Sequence, residues 1–275
     1  MISRDTPREE VLHFKRIKSK RTGEDEKSSF KAVTRTAEIL QCLQRHVMTV
    51  TELADALGIH KSTSHRLLQA MEKSGLVIRN KLNRRYYIGP LISELASDPD
   101  VTHEYFVSCA LNPMKRLAEL TGESIGLSVL IGLSWVLLYE IPSIYDLQIV
   151  AKKKIVNNLH AGSGGKILLA QLGPRELNIA VSNLDFKPMT ERTITSKEEL
   201  LAQIDRIREQ GYAMSYGERI SEAMDICVPI KNYFVPAFLG ILGPENRMKP
   251  KTEEFLNFIR DAGAHIEKNI AEALT

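Results

Sequence analysis

The spacing of apolar and polar residues between positions 49 and 75 predicts two short helices joined by a tight turn. Thr49 and Glu52 have the spacing of a capping box, in which each side chain accepts a hydrogen bond from the other residue's backbone N–H, so the first helix should begin just after Thr49. Gly58 supplies the positive-φ position that ends this helix. A second helix should run over residues 61–75. Two helices in this arrangement are typical of a helix-turn-helix.

The polar side of the second helix carries residue types that read DNA. A recognition helix enters the major groove with its first turns, where short hydroxyl side chains and then a long cation meet phosphates and base edges. Ser62, Thr63 and Arg66 follow that order. His65 fits a structural role at the edge of the helical core equally well. The candidate DNA-contacting residues of this helix are Lys61, Ser62, Thr63, His65, Arg66 and Gln69.

Two short apolar segments after this helix predict the wing of a winged helix. Strands are expected at residues 76–79 and 85–88, with a polar tip at residues 80–84. A basic hairpin of this kind can lie along DNA phosphates, although a cluster of cations is also compatible with an ordinary solvated surface. The candidate DNA-contacting residues of the wing are Arg79, Lys81, Arg84 and Arg85.

Charge is divided unevenly along the chain. Residues 1–90 contain 18 Lys and Arg against 10 Asp and Glu, a net charge of +8, whereas residues 91–275 contain 19 against 24, a net charge of −5. The basic part is the helix-turn-helix part, which favours double-stranded DNA as its partner. Residues 1–27 are rich in charged residues and are expected to form a flexible arm.

The whole chain, 275 residues with 43% hydrophobic composition, is long enough for about two domains. No apolar stretch approaches the ~18 residues of a membrane span, and the first ten residues lack the apolar core of a signal peptide, so we expect a cytoplasmic protein with no membrane partner. Cys42, Cys109 and Cys227 are odd in number and include no Cys-x-x-Cys pair. Neither a disulfide framework nor a metal site is therefore expected.

Residues 91–100, LISELA followed by SDPD, have the pattern of a short helix stopped by Pro99 and turn-forming aspartates. The expected organisation is a flexible charged arm at 1–27, a winged helix-turn-helix DNA-binding domain at 28–90, a helical linker at 91–100 and a second domain at 101–275.

The second domain has a mixed α+β pattern. Pro113 lies within its first expected helix and implies a kink or a restart there. Strands are expected at residues 124–132, 135–141, 147–153, 212–215, 226–230 and 237–242. Helices are expected at residues 101–120, 166–172, 174–184, 197–210 and 251–274.

The segment LHAGSGGKILLA places glycines directly before a helix. Backbone N–H groups at the positive end of a helix dipole favour an anion. The segment is not a nucleotide-binding P-loop, because His160 and Ile167 stand where that motif has Gly and then Ser or Thr. It also lacks the Gly-x-Ser-x-Gly pattern of a hydrolase. A pocket for a small carboxylate is the preferred interpretation, and a loop that needs glycines only in order to turn is the alternative.

Three motifs resemble the isocitrate-lyase-regulator (IclR) family of bacterial transcription factors. KSTSHRLLQAMEKSGL resembles its recognition helix, LHAGSGGKILLA its LHAxAxGKxLLA segment, and GYAMSYGERISEAMDICVPI its GYAxDxEE segment, in that order. The likeness extends from about Phe30 to the C-terminus. It implies an α+β protein with an N-terminal winged helix, a helical linker and a C-terminal GAF-like effector-binding domain with an antiparallel sheet. It also implies a homodimer or homotetramer that binds partly palindromic operators.

The resemblance further implies a small-molecule pocket over the sheet, next to the glycine loop. The effector-binding positions would be Gly162, Ser163, Gly164, Gly165, Glu218, Asp225 and Cys227. The chain departs from the family pattern at Gly162 and Ser163, where Ala or Thr is usual, and at Asp225, where Cys or Ser is frequent. A carboxylate at position 225 would repel an acidic ligand unless it points away or is paired. Trp135, the only tryptophan, is expected in the core.

We therefore expect a DNA-binding transcriptional regulator whose operator binding is modulated by a small organic-acid effector, with no catalytic residues, no metal and no cofactor. The alternative is an enzyme in which a Ser163 or Cys227 nucleophile is fused to a DNA-binding module, but neither residue has a base and an orienting group at a recognisable spacing. A constitutive architectural protein with a degenerate pocket is a third interpretation.

Overall fold

The computed structural model describes residues 29–149, 155–156 and 158–273, and the chain divides into two compact units between Asp98 and Pro99. The first unit has a helix-turn-helix and the second an antiparallel sheet with helices, which confirms the expected fold class. The flexible arm expected at residues 1–27 lies outside the described residues. None of the helices described is long and apolar enough to cross a membrane.

The first unit combines helices with a two-stranded antiparallel hairpin. Its elements are α1 (Ser29–Arg45), α2 (Val50–Leu57), α3 (Lys61–Lys73), β1 (Val77–Arg79), β2 (Tyr86–Ile88) and α4 (Pro90–Leu95). The sequence interpretation missed α1, which is held by tertiary packing. Ile39 and Leu43 lie one turn apart on α1 and are buried against Leu53 of α2 and Leu68 of α3.

The cap at the start of α2 confirms the predicted helix boundary. The hydroxyl of Thr49 accepts from the backbone N–H of Glu52 at 3.3 Å, and the Glu52 carboxylate accepts from the backbone N–H of Thr49 at 2.7 Å. Gly58 ends the helix with φ +61°. The following helix α3 ends at Lys73, two residues before the expected position, because Ser74 takes the C-cap and Gly75 has left-handed φ.

The second unit contains both helices and strands. Its helices are α5 (Pro99–Thr102), α6 (Glu104–Thr121), α7 (Ser163–Ala170), α8 (Pro174–Ser182), α9 (Lys197–Gln210), α10 (Glu245–Met248) and α11 (Thr252–Ala273), with a 3-10 turn at Lys249–Lys251. Its strands are β3 (Ser124–Ile131), β4 (Ser134–Ile141), β5 (Ile155–Val156), β6 (Ala213–Tyr216), β7 (Ala223–Pro229) and β8 (Ala237–Pro244). All paired strands are antiparallel, in the order β5-β4-β3-β8-β7-β6.

The alternation of side chains along the strands divides the sheet into two faces. On β8, Leu239 and Ile241 belong to a core shared with α6 and α11, whereas Phe238 belongs to a second core shared with α7, α8 and α9. Strand β3 repeats the pattern, with Leu127 in the first core and Ser128 on the opposite face. The sheet therefore lies between two helical layers.

Pro113 lies inside α6 without ending it. A proline has no N–H to donate to the carbonyl four residues earlier, which here is the carbonyl of Cys109. The side-chain amide of Asn269, on α11, donates to that carbonyl at 2.8 Å. The missing hydrogen bond is thus replaced by one from the neighbouring helix α11. The break in the expected helix occurs instead at His103, which separates α5 from α6.

Three local expectations are wrong in position, and one of them is β7, which starts at Ala223, three residues before the strand expected at 226–230. The strand expected at 147–153 is not formed at residues 147–149, its remainder lies outside the described residues, and β5 instead occupies Ile155–Val156. Helix α7 starts at Ser163, three residues before the expected position. The early start is possible because Gly162 takes φ +86° and because side chains distant in sequence cap the first turn, as described below.

Candidate functional sites

One side of α3 is exposed and polar, and the opposite side is buried. Leu68 and Met71 pack into the core, and the hydroxyl of the buried Ser64 donates to the carbonyl of Val50 on α2 at 3.4 Å. These contacts fix the rotation of α3. The predicted residues of this helix that remain exposed are Lys61, Ser62, Thr63, Arg66 and Gln69, while His65 is half-buried.

The predicted cations of the wing fall into two classes. Lys81 and Arg84 are exposed at the tip between β1 and β2. Arg85 instead donates to the carbonyl of Val47 at 2.6 Å and lies 3.4 Å from the carboxylate of Glu52. Arg79 is half-buried, with its guanidinium 5.8 Å from the centre of the Tyr86 ring. The structure therefore leaves two of the four cations available at the tip and uses two in packing the wing.

In the second unit, a pocket opens on the sheet face that is turned towards α7. Its cavity volume is about 50 Å³, and the surrounding space that is open to solvent brings the total to about 520 Å³. Its floor contains Gly126 and Gly240, which are directly paired across β3 and β8, so no side chain rises from the sheet at this pair. The residues around it are Ser124, Ser128, Trp135, Leu137, Glu140, Val156, Arg219, Asp225, Cys227, Phe238, Ile241 and Leu242.

The first turn of α7 is capped by two carboxylates of the chain itself. The backbone N–H of Gly162 donates to Glu218 at 3.1 Å, and that of Ser163 donates to Asp225 at 2.6 Å. The hydroxyl of Ser163 also donates to Asp225 and lies 3.0 Å from the sulfur of Cys227. Gly162 and Ser163 are two of the four loop residues that the sequence interpretation assigned to the effector site. Because their N–H groups already donate to carboxylates of the chain, these two groups are not available to a ligand anion.

Glu218 is held by a buried ion pair. The Nζ of Lys166, a residue that is 1% exposed, lies 2.6 Å from the carboxylate of Glu218 and 2.8 Å from the amide oxygen of Gln203 on α9. The backbone of Glu218 is also fixed, because the hydroxyl of Thr193 donates to its carbonyl at 2.6 Å. Charged groups removed from water are tolerated when they are paired and hydrogen-bonded, as here.

The glycines of the loop are required by close packing. A Cβ added at Gly164 would lie 1.8 Å from the indole ring of Trp135, and one added at Gly165 would lie 2.3 Å from the carbonyl oxygen of Leu159. The indole in turn stacks on Phe238, with ring centres 5.0 Å apart. Trp135 is thus only half-buried and forms a wall of the pocket, whereas the sequence interpretation placed it in the core.

Arg219 places a cation in the pocket. Its guanidinium lies 5.3 Å from the centre of the Trp135 ring, in the range of a cation–π contact. Asp225, at the same pocket, is paired with the first turn of α7, so the repulsion of an acidic ligand that its sequence position suggested is reduced. Burial first, and then the carboxylate of Asp225, hold the pKa of the Cys227 thiol well above its usual value.

Comparison with known proteins identifies both units. Residues 32–81 match the family described as the IclR helix-turn-helix domain, and residues 101–268 match the bacterial transcriptional regulator IclR C-terminal family. The chain belongs to the IclR family. It is 31% identical to the HTH-type transcriptional regulator KdgR of Escherichia coli over 242 residues, which cover 86% of this chain and 92% of that protein. KdgR of Dickeya chrysanthemi is also 31% identical, over 86% of this chain and 79% of its own.

Solved structures of IclR proteins share the fold. The crystal structure of Thermotoga maritima IclR aligns with a TM-score of 0.57 at 24% identity, covering 87% of this chain and 98% of that one. An IclR homologue of Microbacterium hydrocarbonoxydans, solved in complex with 4-hydroxybenzoate, aligns with a TM-score of 0.57 at 23% identity, covering 88% and 99%. This chain is therefore a transcriptional regulator with an IclR effector-binding domain.

The structure brings the predicted positions of the IclR effector domain together but gives them unequal roles. Asp225 and Cys227 line the pocket. Glu218 and the glycine loop are not part of its lining, and Glu218 instead accepts a hydrogen bond from the backbone N–H of Gly162. Sequence reasoning missed Arg219, although it directly follows the Glu218 of the quoted motif. It also missed Lys166, which stands beside the glycines in LHAGSGGKILLA.

Replacing Lys166 with Met is expected to lower the free energy of unfolding by about 3–5 kcal/mol, because the Glu218 carboxylate would remain buried without its cation. Urea unfolding of the full chain, followed by Trp135 fluorescence, measures the change. The double variant Lys166→Met/Glu218→Gln should lose less than the sum of the single variants.

The matched control is Lys268→Met, which removes an exposed cation 3.6 Å from Glu272. Exposed pairs contribute only about 0–1 kcal/mol. Equal losses in the Lys166 and Lys268 variants would show that the buried pair does not stabilise the fold.

Proposed function

We propose that this regulator binds an operator through α3 and the wing tip, and that a small organic acid bound beside Arg219 changes its affinity for DNA. The observation that carries the proposal is the cation of Arg219 above the Trp135 ring, in a pocket where the carboxylate of Asp225 already accepts hydrogen bonds from the first turn of α7. The other carboxylate in the lining is that of Glu140. The rest of the pocket wall is largely apolar. Such a site suits a small anion with an apolar or planar body.

The DNA-binding part of the proposal rests on exposure and charge. Ser62, Thr63 and Arg66 lie on the exposed side of α3. Ser64 and Leu68 on the opposite side are buried, so the exposed side faces away from the core. Exposed cations at the wing tip add phosphate contacts that do not depend on base sequence. In a homodimer or homotetramer, two copies of this surface would read the two halves of a partly palindromic operator.

The effector part of the proposal rests on Arg219. A guanidinium can form two parallel hydrogen bonds with a carboxylate, which a planar aromatic wall would orient. The 4-hydroxybenzoate in the Microbacterium homologue is an acid of this kind and supports the choice of probes. Coupling to DNA is reciprocal, so the effector can change DNA affinity only by the factor by which DNA changes effector affinity.

Arg219→Gln is expected to abolish stabilisation by carboxylates. A ligand at 100 times its Kd stabilises the native state by about 2.7 kcal/mol, so the thermal midpoint Tm of the wild-type protein should rise with at least one acid. The measurement is a thermal-shift screen of 4-hydroxybenzoate and small keto and hydroxy acids, each paired with its uncharged amide.

Arg206→Gln, which removes an exposed arginine from α9, is the matched control and should keep the full shift. An equal shift with acid and amide, or an undiminished shift in Arg219→Gln, would contradict the role of Arg219 as the anion anchor.

Variants of α3 and of the wing should affect DNA binding differently. Arg66→Ala is expected to weaken binding to the preferred sequence by about 1–3 kcal/mol, because it removes a base-edge contact. Arg84→Ala should weaken binding to all sequences and reduce the salt slope by about 0.9. The probe is a duplex enriched by the wild-type protein from a random pool.

Arg66→Lys separates the effect of charge from base recognition, since lysine keeps the positive charge but cannot form a bidentate pair of hydrogen bonds with a base. It should retain the salt slope and lose sequence preference. Unchanged preference in both Arg66 variants would remove this residue from the recognition surface.

The second candidate function is an enzyme that uses Ser163 or Cys227 as a nucleophile. The observation that favours it is the position of the Ser163 hydroxyl, which contacts both the carboxylate of Asp225 and the sulfur of Cys227. Its chemistry is weak. The Cys227 thiol is buried with a raised pKa, so little thiolate forms near neutral pH. The hydroxyl of Ser163 meets a carboxylate, which is a much weaker base than the imidazole that usually activates serine.

We expect Cys227 to react slowly with a disulfide reagent such as DTNB, because both burial and the raised pKa of its thiol suppress attack. The test uses a Cys42→Ser/Cys109→Ser background, so that labelling reports on position 227, and compares native with urea-unfolded protein. Rapid labelling of the native protein near neutral pH would contradict the buried-thiol assignment and revive the enzyme hypothesis.

A further inference from the structure

Leu82 is a large apolar side chain that the fold leaves almost wholly in solvent. It is 97% exposed at the tip of the wing, more than the other large apolar side chains that the structure describes in the first unit, such as Val33 at 72% and Leu95 at 63%. An isolated exposed leucine is ordinary on a protein surface. The position of this one is informative because of the turn that presents it and the charges that flank it.

The tip is a well-formed turn. The side-chain oxygen of Asn80 accepts from the backbone N–H groups of Leu82 at 2.8 Å and Asn83 at 3.3 Å, and its carbonyl accepts from the N–H of Arg84 at 2.9 Å. The side chain of Asn83 accepts from the N–H of Arg85 and donates to the hydroxyl of Tyr87 at 2.9 Å. Because the turn is stabilised on both sides, Leu82 is held away from the hairpin.

Exposed cations stand on both sides of this leucine. Lys81 precedes it and Arg84 follows it by two residues. An apolar tip between two cations is complementary to a nucleic-acid groove, where phosphates border stacked bases. Some DNA-binding proteins insert a leucine or a similar wedge between base pairs from the minor groove and bend the duplex by about 20–90°.

We propose that Leu82 is such a wedge, which enters the minor groove beside the major-groove site of α3, partly unstacks one base step and bends the operator. This inference rests on the proposed DNA-binding function and adds an apolar contact and a DNA deformation to it. Flexible pyrimidine–purine steps are the cheapest to unstack, so the operator should carry one under the wing. Leu82 would then favour particular sequences without a hydrogen bond to any base.

The experiment uses the full chain and the duplex that the wild-type protein enriches from a random pool. Bending is measured by energy transfer between dyes at the two ends, and unstacking by the fluorescence of 2-aminopurine placed at successive positions under the wing. We expect the wild-type protein to bend the duplex and to raise 2-aminopurine fluorescence at one step.

Leu82→Ala and the nearly isosteric Leu82→Asn should bind about tenfold more weakly, with less bending and no fluorescence rise, as expected for loss of one buried leucine side chain. Leu82→Met should restore all three signals. The salt slope should stay at the wild-type value in every Leu82 variant, in contrast to Arg84→Ala, and Val33→Ala controls for loss of another exposed aliphatic side chain.

The outcomes separate the two proposals. Enrichment of a sequence by the wild-type protein, with bending and unstacking equal in Leu82→Ala, would overturn the wedge and leave the DNA-binding proposal standing. A wild-type complex with straight, stacked DNA would do the same. Failure of the wild-type protein to enrich any sequence would overturn both. Leu82 is exposed, so the variants should unfold at the wild-type Tm, and loss of binding cannot be ascribed to misfolding.

Discussion

The capture of the positive end of α7 by two internal carboxylates is the interaction on which the effector domain depends. Glu218 and Asp225 come from the β6–β7 region of the chain, more than 50 residues after the glycine loop, and they close the first turn of the helix from two sides. Lys166 beneath them balances the charge of Glu218. The guanidinium of Arg219 lies in the same pocket, over the ring of Trp135.

The same sheet stabilises the domain and shapes the pocket. One face is covered by α6 and α11 and is apolar throughout, which provides most of the hydrophobic burial. The other face is covered only in part by α7, α8 and α9. The paired glycines Gly126 and Gly240 on β3 and β8 have no side chains, which leaves space for the pocket. Alternation along each strand allows a complete core and an open pocket to be built from the same residues.

The helix-turn-helix unit likewise separates residues that build the surface from residues that are free to bind. Arg85 and Arg79 make contacts within the unit, and the buried Ser64 joins α3 to α2 by a hydrogen bond to the carbonyl of Val50. The exposed part of α3 and the wing tip are consequently held by hydrogen bonds and packing rather than left to move. Such preorganisation lowers the entropic cost of binding.

Sequence alone determined the features that depend on neighbouring residues. The capping box of α2, the limits of α9, the hairpin of the wing and the family motifs all lie within short segments, where periodicity and caps act directly. Tertiary structure decided the features that join distant segments: the passage of α6 through Pro113, the early start of α7, and the position of the Arg219 guanidinium over Trp135 in the pocket. In each case the deciding partner is more than 50 residues away, and no local pattern specifies which hydrogen bond or charge will reach it.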